Sequence, residues 1–447
     1  LRSVWLRPCE FKSRRPHFIY FGLPAMKKKS IAVVIISNGP GELSTWVRPV
    51  VDNLTKINDA SKKNDKLNFS LNLVLVPCPN ATGTEYKVAK SWNKFELVTK
   101  PGTFWKLLIR PYKYAKWPQK GIVIFLGGDQ LWSILLAKRL GYYNITYAEW
   151  ISRWPRWNNI IAAMNMKVKK SIPQKYRNKC RVIGDLMADI RNNKEISLNL
   201  EGGNLIALLP GSKKAKLSVG IPYFLEIADQ ISNKNKNINL IIPIAPTTST
   251  SEYLFFQSNK NPIAKKYSSK IKNIKPIENS IFNYIIETSN NTKIYLINKH
   301  PCYEVLKKCE LAITTVGANT AELAALTLPM IVILPTQHLN AMNAWDGIFG
   351  IIGKISFINK LLTFLIQNWY LKKKKFFAWP NIKANKLIVP ERIGNISPKQ
   401  IAYEALFLIK NKKYLKEQKE NLSKQRGETG AVENLAYIIL NSIKRLS

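Results

Sequence analysis

Four short apolar runs in this chain end in a turn of glycine and small polar residues and then enter a helical pattern. Residues 31–36 precede Ser37-Asn38-Gly39-Pro40-Gly41-Glu42, and residues 121–126 precede Gly127-Gly128-Asp129. Residues 205–209 precede Pro210-Gly211-Ser212, and residues 311–315 precede Val316-Gly317-Ala318-Asn319. An apolar strand feeding a helix is the unit of a parallel sheet buried on both faces. Such sheets collect ligands at the carboxyl ends of their strands, where these four turns would lie. Further strand-like runs fall at 71–76, 144–148, 182–184, 238–244, 293–297 and 330–334, the last of the series. No short-period repeat interrupts the pattern. It predicts an α/β protein of two successive halves, divided near residues 185–203, with 247–292, rich in Ser, Asn and Lys, as an insertion or a long loop-helix excursion. Ser397-Pro398-Lys399-Gln400 has the order of an N-cap, a proline at the first helical position and a Gln three after the cap, so a helical tail starts there. Gly427 and Gly430 break the tail before a final amphipathic helix over 432–446.

Composition narrows the function classes. The chain has 447 residues, 46% of them hydrophobic, enough for a sizeable core and against a disordered chain. Its 69 Lys and Arg against 28 acids give a formal net charge of +41. Such a charge attracts anions: nucleic acid, a phospholipid surface or a phosphorylated substrate. Much of the excess is lysine scattered among asparagine and isoleucine, which compositional bias also explains. The five cysteines (Cys9, Cys78, Cys180, Cys302, Cys309) form no C-x-x-C pair and are odd in number, which argues for reduced thiols in an intracellular protein. With only His17, His300 and His338, a His-rich zinc site is not expected, and acid–base chemistry falls on carboxylates. No apolar run reaches the roughly 18 uncharged residues of a transmembrane helix. The basic first 25 residues lack the apolar stretch of a secretory signal, and Met26, followed by three lysines and a strand, marks the expected start of the folded unit.

The strongest local constellation is 311–326: a buried strand, a glycine turn and a helix start. Unpaired backbone N–H groups at such a start can seat a diphosphate, and glycine lets the backbone approach it. Glu322, in the first turn, could accept hydrogen bonds from ribose hydroxyls. Asn319-x-x-Glu322 is equally the spacing of a capping box. Pro210-Gly211-Ser212-Lys213-Lys214 offers a compact positive charge for a leaving phosphate, although adjacent lysines in so basic a chain are commonly solvated surface. Asn38-Gly39-Pro40-Gly41-Glu42 lacks the G-x-G-x-x-G dinucleotide fingerprint, yet could wall an interdomain cleft. Asp129 could be a general base or simply a helix cap.

Two regions suggest a membrane surface. Trp105, Trp117, Trp132, Trp150, Trp154 and Trp157 are interleaved with Arg110, Arg139, Arg153 and Arg156. Later, residues 355–371 are strongly apolar and abut four lysines, 372–375. Indoles and cations together suit the bilayer interface, and could also stack single-stranded nucleic acid. Ordinary core packing would account for most of the tryptophans individually.

From about Ile31 to its end the chain resembles the lipid-A-disaccharide synthase family, glycosyltransferases of the GT-B architecture. The marks occur in order: Tyr147 to Trp157, Val182 to Asp189, Leu208 to Lys213, Gly317 to Glu322 with Pro329 to Val332, Trp379-Pro380-Asn381-Ile382 with Val389-Pro390-Glu391, and Gly427 to Ala431. The resemblance implies two Rossmann-like domains with parallel sheets facing a cleft and C-terminal helices packing back. It divides the chain into a basic extension (1–25), an acceptor-side domain (26–190), a nucleotide-sugar domain (191–396) and C-terminal helices (397–447). It implies an inverting, metal-free transfer from an acylated UDP-glucosamine-type donor to an acylated sugar phosphate, with no cofactor and no nucleic-acid partner. Gly211, Ser212, Lys213, Gly317, Ala318, Asn319, Thr320 and Glu322 would hold the UDP-sugar, and Asp129 and Glu42 would be the catalytic carboxylates. The protein would sit in the cytoplasm, peripheral at the inner face of an anionic membrane, with homodimerisation through the tail a family expectation.

The chain also departs from the family. Lys213 stands where the family has arginine, losing its bidentate fork. Gly184-Asp185-Leu186 replaces G-H-P, and Gly39 to Ser44 replaces G-E-x-S-G-D. Of G-x-D-x-P-D-F-N only the first acid, Asp129, is present. The nucleotide half is thus better kept than the acceptor half. Two alternatives stand beside this expectation: a UDP-sugar epimerase of the same fold, and a non-enzymatic basic protein that binds membrane or nucleic acid.

Overall fold

The computed structural model describes residues 31–62, 68–77, 83–192, 196–198, 200, 203–212, 214–245, 248–278, 281–341 and 375–446. The basic extension 1–25, Lys213, and the apolar run 355–371 with Lys372, Lys373 and Lys374 lie outside the described residues.

The strands sort into two sheets. The first contains β1 (Ile31–Ser37), β2 (Phe69–Leu75), β3 (Leu97–Thr99), β4 (Gly121–Phe125), β5 (Tyr143–Ala148), β6 (Ile160–Ala163) and β7 (Cys180–Val182), ordered β3-β2-β1-β4-β5-β6-β7. Every pairing in it is parallel. In β1, Ile31, Val33 and Ile35 face one apolar cluster, and Ala32, Val34 and Ile36 face another. A strand covered on both faces has no place for polar alternation, which is why it reads as one unbroken run.

The second sheet contains β8 (Asn204–Leu209), β9 (Ile238–Pro243), β10 (Ile271–Pro276), β11 (Tyr284–Thr288), β12 (Lys293–Ile297), β13 (Leu311–Thr315), β14 (Met330–Pro335) and β15 (Glu391–Gly394), ordered β10-β11-β12-β9-β8-β13-β14-β15. From β12 to β15 the pairings are parallel, and β10 and β11 add an antiparallel edge. The expected insertion 247–292 therefore contributes structure: helix Thr250–Gln257 and two strands that extend the sheet. Residues 330–334 are not the last strand, because β15 pairs beyond them. β15 escapes notice because its two central residues, Arg392 and Ile393, are exposed at a sheet edge. The two sheets and their covering helices form the GT-B architecture.

The chain crosses between the two units twice. On the way out, Leu186 is buried in the first core, while Met187 and Ile190 are buried in the second. Helices Pro398–Lys410 and Lys412–Arg426 cover the second unit, the former opened by the expected Ser397/Gln400 capping box. On the way back, helix Ala431–Leu446 returns to the first core with Val432, Leu435, Ala436, Ile439 and Ile443. Asp189 on the outgoing leg ties down the return: it accepts the Gly430 N–H at 2.5 Å and the Val432 N–H at 2.6 Å.

Charge-assisted bonds to backbone are among the stronger hydrogen bonds. Asp189→Ala should therefore cost about 2–4 kcal/mol in urea unfolding, with faster amide exchange concentrated in 431–446. Unchanged exchange there would show that the apolar face alone holds the helix.

Candidate functional site

The carboxyl ends of β1, β8, β9, β12 and β13 converge on a cleft with about 1010 Å³ of free space, part of it open solvent. One wall comes from the first unit through Gly41, Leu43, Ser44, Thr84, Glu85 and Val88. The other comes from the second unit, including Gly211, Ser212, His300, Tyr303, Ala318, Asn319 and Glu322. The walls approach closely: a Cβ on Gly41 would sit 3.6 Å from the Cβ of Ala318. The turn after β13 thus faces the opposite unit.

Two glycine turns on the second wall enclose one lysine. Gly317 has φ +152°, and a Cβ on it would lie 3.1 Å from Lys216 Nζ. Gly211 has φ +115°, and a Cβ on it would lie 2.9 Å from Lys216 Cβ. Both backbones need glycine, for conformation and for space. Lys216, buried in the first turn of helix Lys214–Lys234, donates to the Val316 carbonyl at 3.2 Å. Helix Asn319–Ala325 is preceded by Ala318 as its cap, without a side-chain cap bond, so the Asn319/Glu322 capping box is not formed. The N–H groups of Gly317, Ala318 and Asn319 have no backbone acceptor among the described residues. Thr320 is buried behind the turn: its hydroxyl donates to the Gly317 carbonyl at 2.8 Å and accepts the Trp379 N–H at 3.0 Å.

Beside this turn, burial pushes the Glu322 carboxyl up to about 7, with the Tyr303 hydroxyl and Arg426 pulling against the rise. The Tyr303 hydroxyl is buried at the cleft wall, next to the Glu322 carboxyl. His300 spans the two units: its Nε2 lies 3.1 Å from Ser44 Oγ, and its carbonyl accepts Arg48 Nη1 at 3.0 Å. Burial, then the Arg48 charge, brings its pKa down to about 4, so the ring is neutral near pH 7.

The sequence-predicted residues thus separate. Gly211, Ser212, Ala318, Asn319 and Glu322 line the cleft, Gly317 packs against Lys216 and Thr320 braces the turn from behind. Neither proposed catalytic carboxylate is among the lining residues. Glu42 sits between Gly41 and Leu43, which do line the cleft, but its carboxylate folds back over Gly39. Burial raises its pKa, opposed by its own backbone N–H. Asp129 caps helix Gln130–Leu140, accepting the Leu131 N–H at 2.9 Å and pairing with Arg153 at 3.3 Å. Sequence reasoning missed Lys216, His300 and Tyr303. Lys216 is one more lysine in a basic stretch, and nothing in the spacing of the other two marks them.

Behind the cleft, segments far apart in sequence meet in one buried charge cluster. Arg426 Nη1 lies 2.7 Å from Asp185 Oδ2, both side chains almost fully buried. The same guanidinium donates to the Ala321 carbonyl at 2.8 Å and stacks 3.4 Å over the Trp379 ring. Lys383 is also near, 4.6 Å from the Trp379 ring centroid and 4.0 Å from Asp185. Burial pushes Glu149 up to about 7, with Arg426 and Lys383 lowering it and Asp185 raising it.

For Glu322 and Glu149 the folded pKa lies above the unfolded one. Each therefore contributes stability that is fully present below the ordinary carboxylate range and is lost as pH rises through about 7. Glu322→Gln and Glu149→Gln should each gain on the wild type as pH rises from about 5 to 8, by roughly 2–4 °C in Tm. A constant offset across that window would contradict the raised values.

Comparison with known proteins fits this architecture. No family model matches the chain. The lipid-A-disaccharide synthase of Sulfurihydrogenibium sp. (strain YO3AOP1) is 25% identical over 245 residues, 54% of this chain and 52% of that protein. That of Wigglesworthia glossinidia brevipalpis is 25% identical over 263 residues, 56% of this chain and 54% of that protein. The chain spans about half the length of the curated relatives it matches. Among solved structures, S. aureus MnaA with UDP superposes with a TM-score of 0.50 at 11% identity, covering 93% of this chain and 98% of that one, a likeness of fold alone. Over about half of its length this chain, with its GT-B fold, is thus similar to the lipid-A-disaccharide synthases.

Proposed function

We propose that the cleft binds a UDP-sugar and that the protein transfers its sugar to a lipid-bearing sugar phosphate. The observation that carries this is the pair of glycine turns around buried Lys216, in a turn that lies against the opposite unit and whose Gly317, Ala318 and Asn319 N–H groups have no backbone acceptor among the described residues. Those N–H groups and the Lys216 charge would hold the diphosphate, with Ser212 beside them. Glu322 and the neighbouring Tyr303 hydroxyl would take the ribose. An acceptor hydroxyl attacks the anomeric carbon from the first unit's side, the bond from that carbon to the diphosphate breaks, and UDP leaves with inversion. The hydroxyl proton passes to a base. Of the two proposed carboxylates Glu42 is the better placed, because it sits between two lining residues. Asp129, held as a helix cap, is the weaker candidate.

The first unit also carries an aromatic and cationic surface. Trp105, Ile109 and Tyr112 are exposed beside Lys106, Arg110 and Lys113, and Trp150, Ile151, Trp154 and Trp157 are exposed beside Arg153 and Arg156. No helix among the described residues is long and apolar enough to cross a membrane. We propose that this surface rests on an anionic bilayer at the inner face of the membrane, where an acylated acceptor would be held.

In calorimetry without added Mg²⁺, UDP should bind the wild type, and Lys216→Ala and Glu322→Ala should each weaken it about tenfold or more. Unchanged affinity in both would place the nucleotide elsewhere. With substrate, UDP should appear only when an acylated sugar-phosphate acceptor is supplied; an epimerised sugar without a glycosidic product would replace transfer by epimerisation. Co-sedimentation should favour anionic over neutral vesicles, and the Trp154→Ala/Trp157→Ala double variant should lose binding severalfold. Equal binding to both vesicle types would remove the membrane proposal.

A further inference from the structure

Next to the cleft is a second cavity, with about 1240 Å³ of free space and a wide opening to solvent. It shares Val88 and His300 with the cleft, so the two adjoin. Its charged wall is Arg48, Lys87, Lys94 and Asp52 from the first unit, and Asn298 and His300 close it from the second. Asp52, the one acid on the wall, is paired with Lys94 at 2.6 Å. Arg48 and Lys87 are left without an acidic partner among the described residues.

The Arg48 guanidinium is held in place. One N–H is spent on the His300 carbonyl at 3.0 Å, and the group lies over the Trp92 ring at 5.4 Å from its centroid. Its other N–H groups have no acceptor among the described residues. A guanidinium fixed in this way presents a planar fork that fits two oxygens of a phosphate, and Lys87 supplies a mobile point charge from the same wall. The neighbouring His300 ring adds no charge near neutral pH. Asn298 and the Ser91 hydroxyl are further polar groups on the wall. Two uncompensated cations match a dianion, and a cavity walled by both units would couple its occupant to their approach.

We propose that this cavity binds a phosphate-monoester dianion, at a position distinct from the nucleotide in the cleft. Two sources share that chemistry, a sugar phosphate and free inorganic phosphate. Only the choice of a sugar phosphate as the physiological source rests on the transferase function proposed above; the site itself stands on its own geometry.

The experiment is calorimetric titration of the full chain with inorganic phosphate and with glucosamine 1-phosphate, each with and without saturating UDP. Both probes should still bind when UDP is present. Lys87→Glu should weaken both by about tenfold and Arg48→Lys severalfold, while UDP affinity stays within about twofold. Lys87 is exposed, so its variant should fold, and circular dichroism checks this. Tighter binding of the sugar phosphate assigns that source, and equal binding assigns free phosphate; either supports the site. Absence of binding by both probes at about 10 mM, full displacement by UDP, or indifference to both substitutions would overturn it. Because UDP binding is read separately through Lys216 and Glu322, failure here is distinguishable from failure of the cleft assignment.

Discussion

The buried ion pair between Arg426 and Asp185 sits where the chain crosses between its two units in both directions. Asp185 lies one residue before Leu186, the last side chain buried in the first core on the outgoing path. Arg426 ends the helix that covers the second unit, a few residues before the return at Ala431. Desolvating two charges is expensive, so such a pair need add little net stability. Its asymmetry matters more: removing one partner leaves an uncompensated buried charge, at about 3–5 kcal/mol. The two crossings are thereby fixed relative to each other. The Asp189 bonds to Gly430 and Val432 fasten the same junction from the other side.

The junction reaches the cleft through a short path. Arg426 also holds the Ala321 carbonyl, inside the helix that carries Glu322, and stacks on Trp379, whose N–H is held by Thr320. The turn after β13 is therefore braced from behind by residues at the crossing between the units. Arg426 further lowers the pKa of Glu322 and of Glu149, so the protonation of a cleft residue and that of the junction share one charge. This also gives a physical account of a departure from the family pattern. Where the family reads G-H-P, this chain has an acid at 185, and that acid is tolerable in a buried place because Arg426 is there to meet it.

Much of the fold was legible because central strands of a parallel sheet are covered on both faces. β1, β4, β8, β13 and β14 read as unbroken apolar runs for that reason. β3 is three residues long, β6 is four, and β15 is exposed at an edge, so none carries enough pattern to be seen alone; the run at 182–184 overlaps β7, which the structure places at Cys180–Val182, at Val182 alone. β10 and β11 were hidden in a polar stretch because an antiparallel edge needs apolar cover on fewer positions. In the site, the glycine turns were legible because a backbone that passes so close to another side chain excludes a Cβ. Lys216 was not, since one lysine among many becomes distinctive only when it is buried.

By itself the sequence determined the parallel core of the two sheets, the glycine turns at their strand ends, the capped start of the C-terminal helices and the likeness to one enzyme family. These are local matters: apolar periodicity, backbone conformation and short-range caps. Only the tertiary structure decided which turns face each other, that Asp129 is spent on a helix end, and that Asp185, Glu149, Trp379, Lys383 and Arg426 form one cluster. Those outcomes depend on residues hundreds of positions apart arriving in the same low-dielectric space, where a charge must find a partner. No spacing along the chain encodes that requirement; it arises when the second crossing closes on the first.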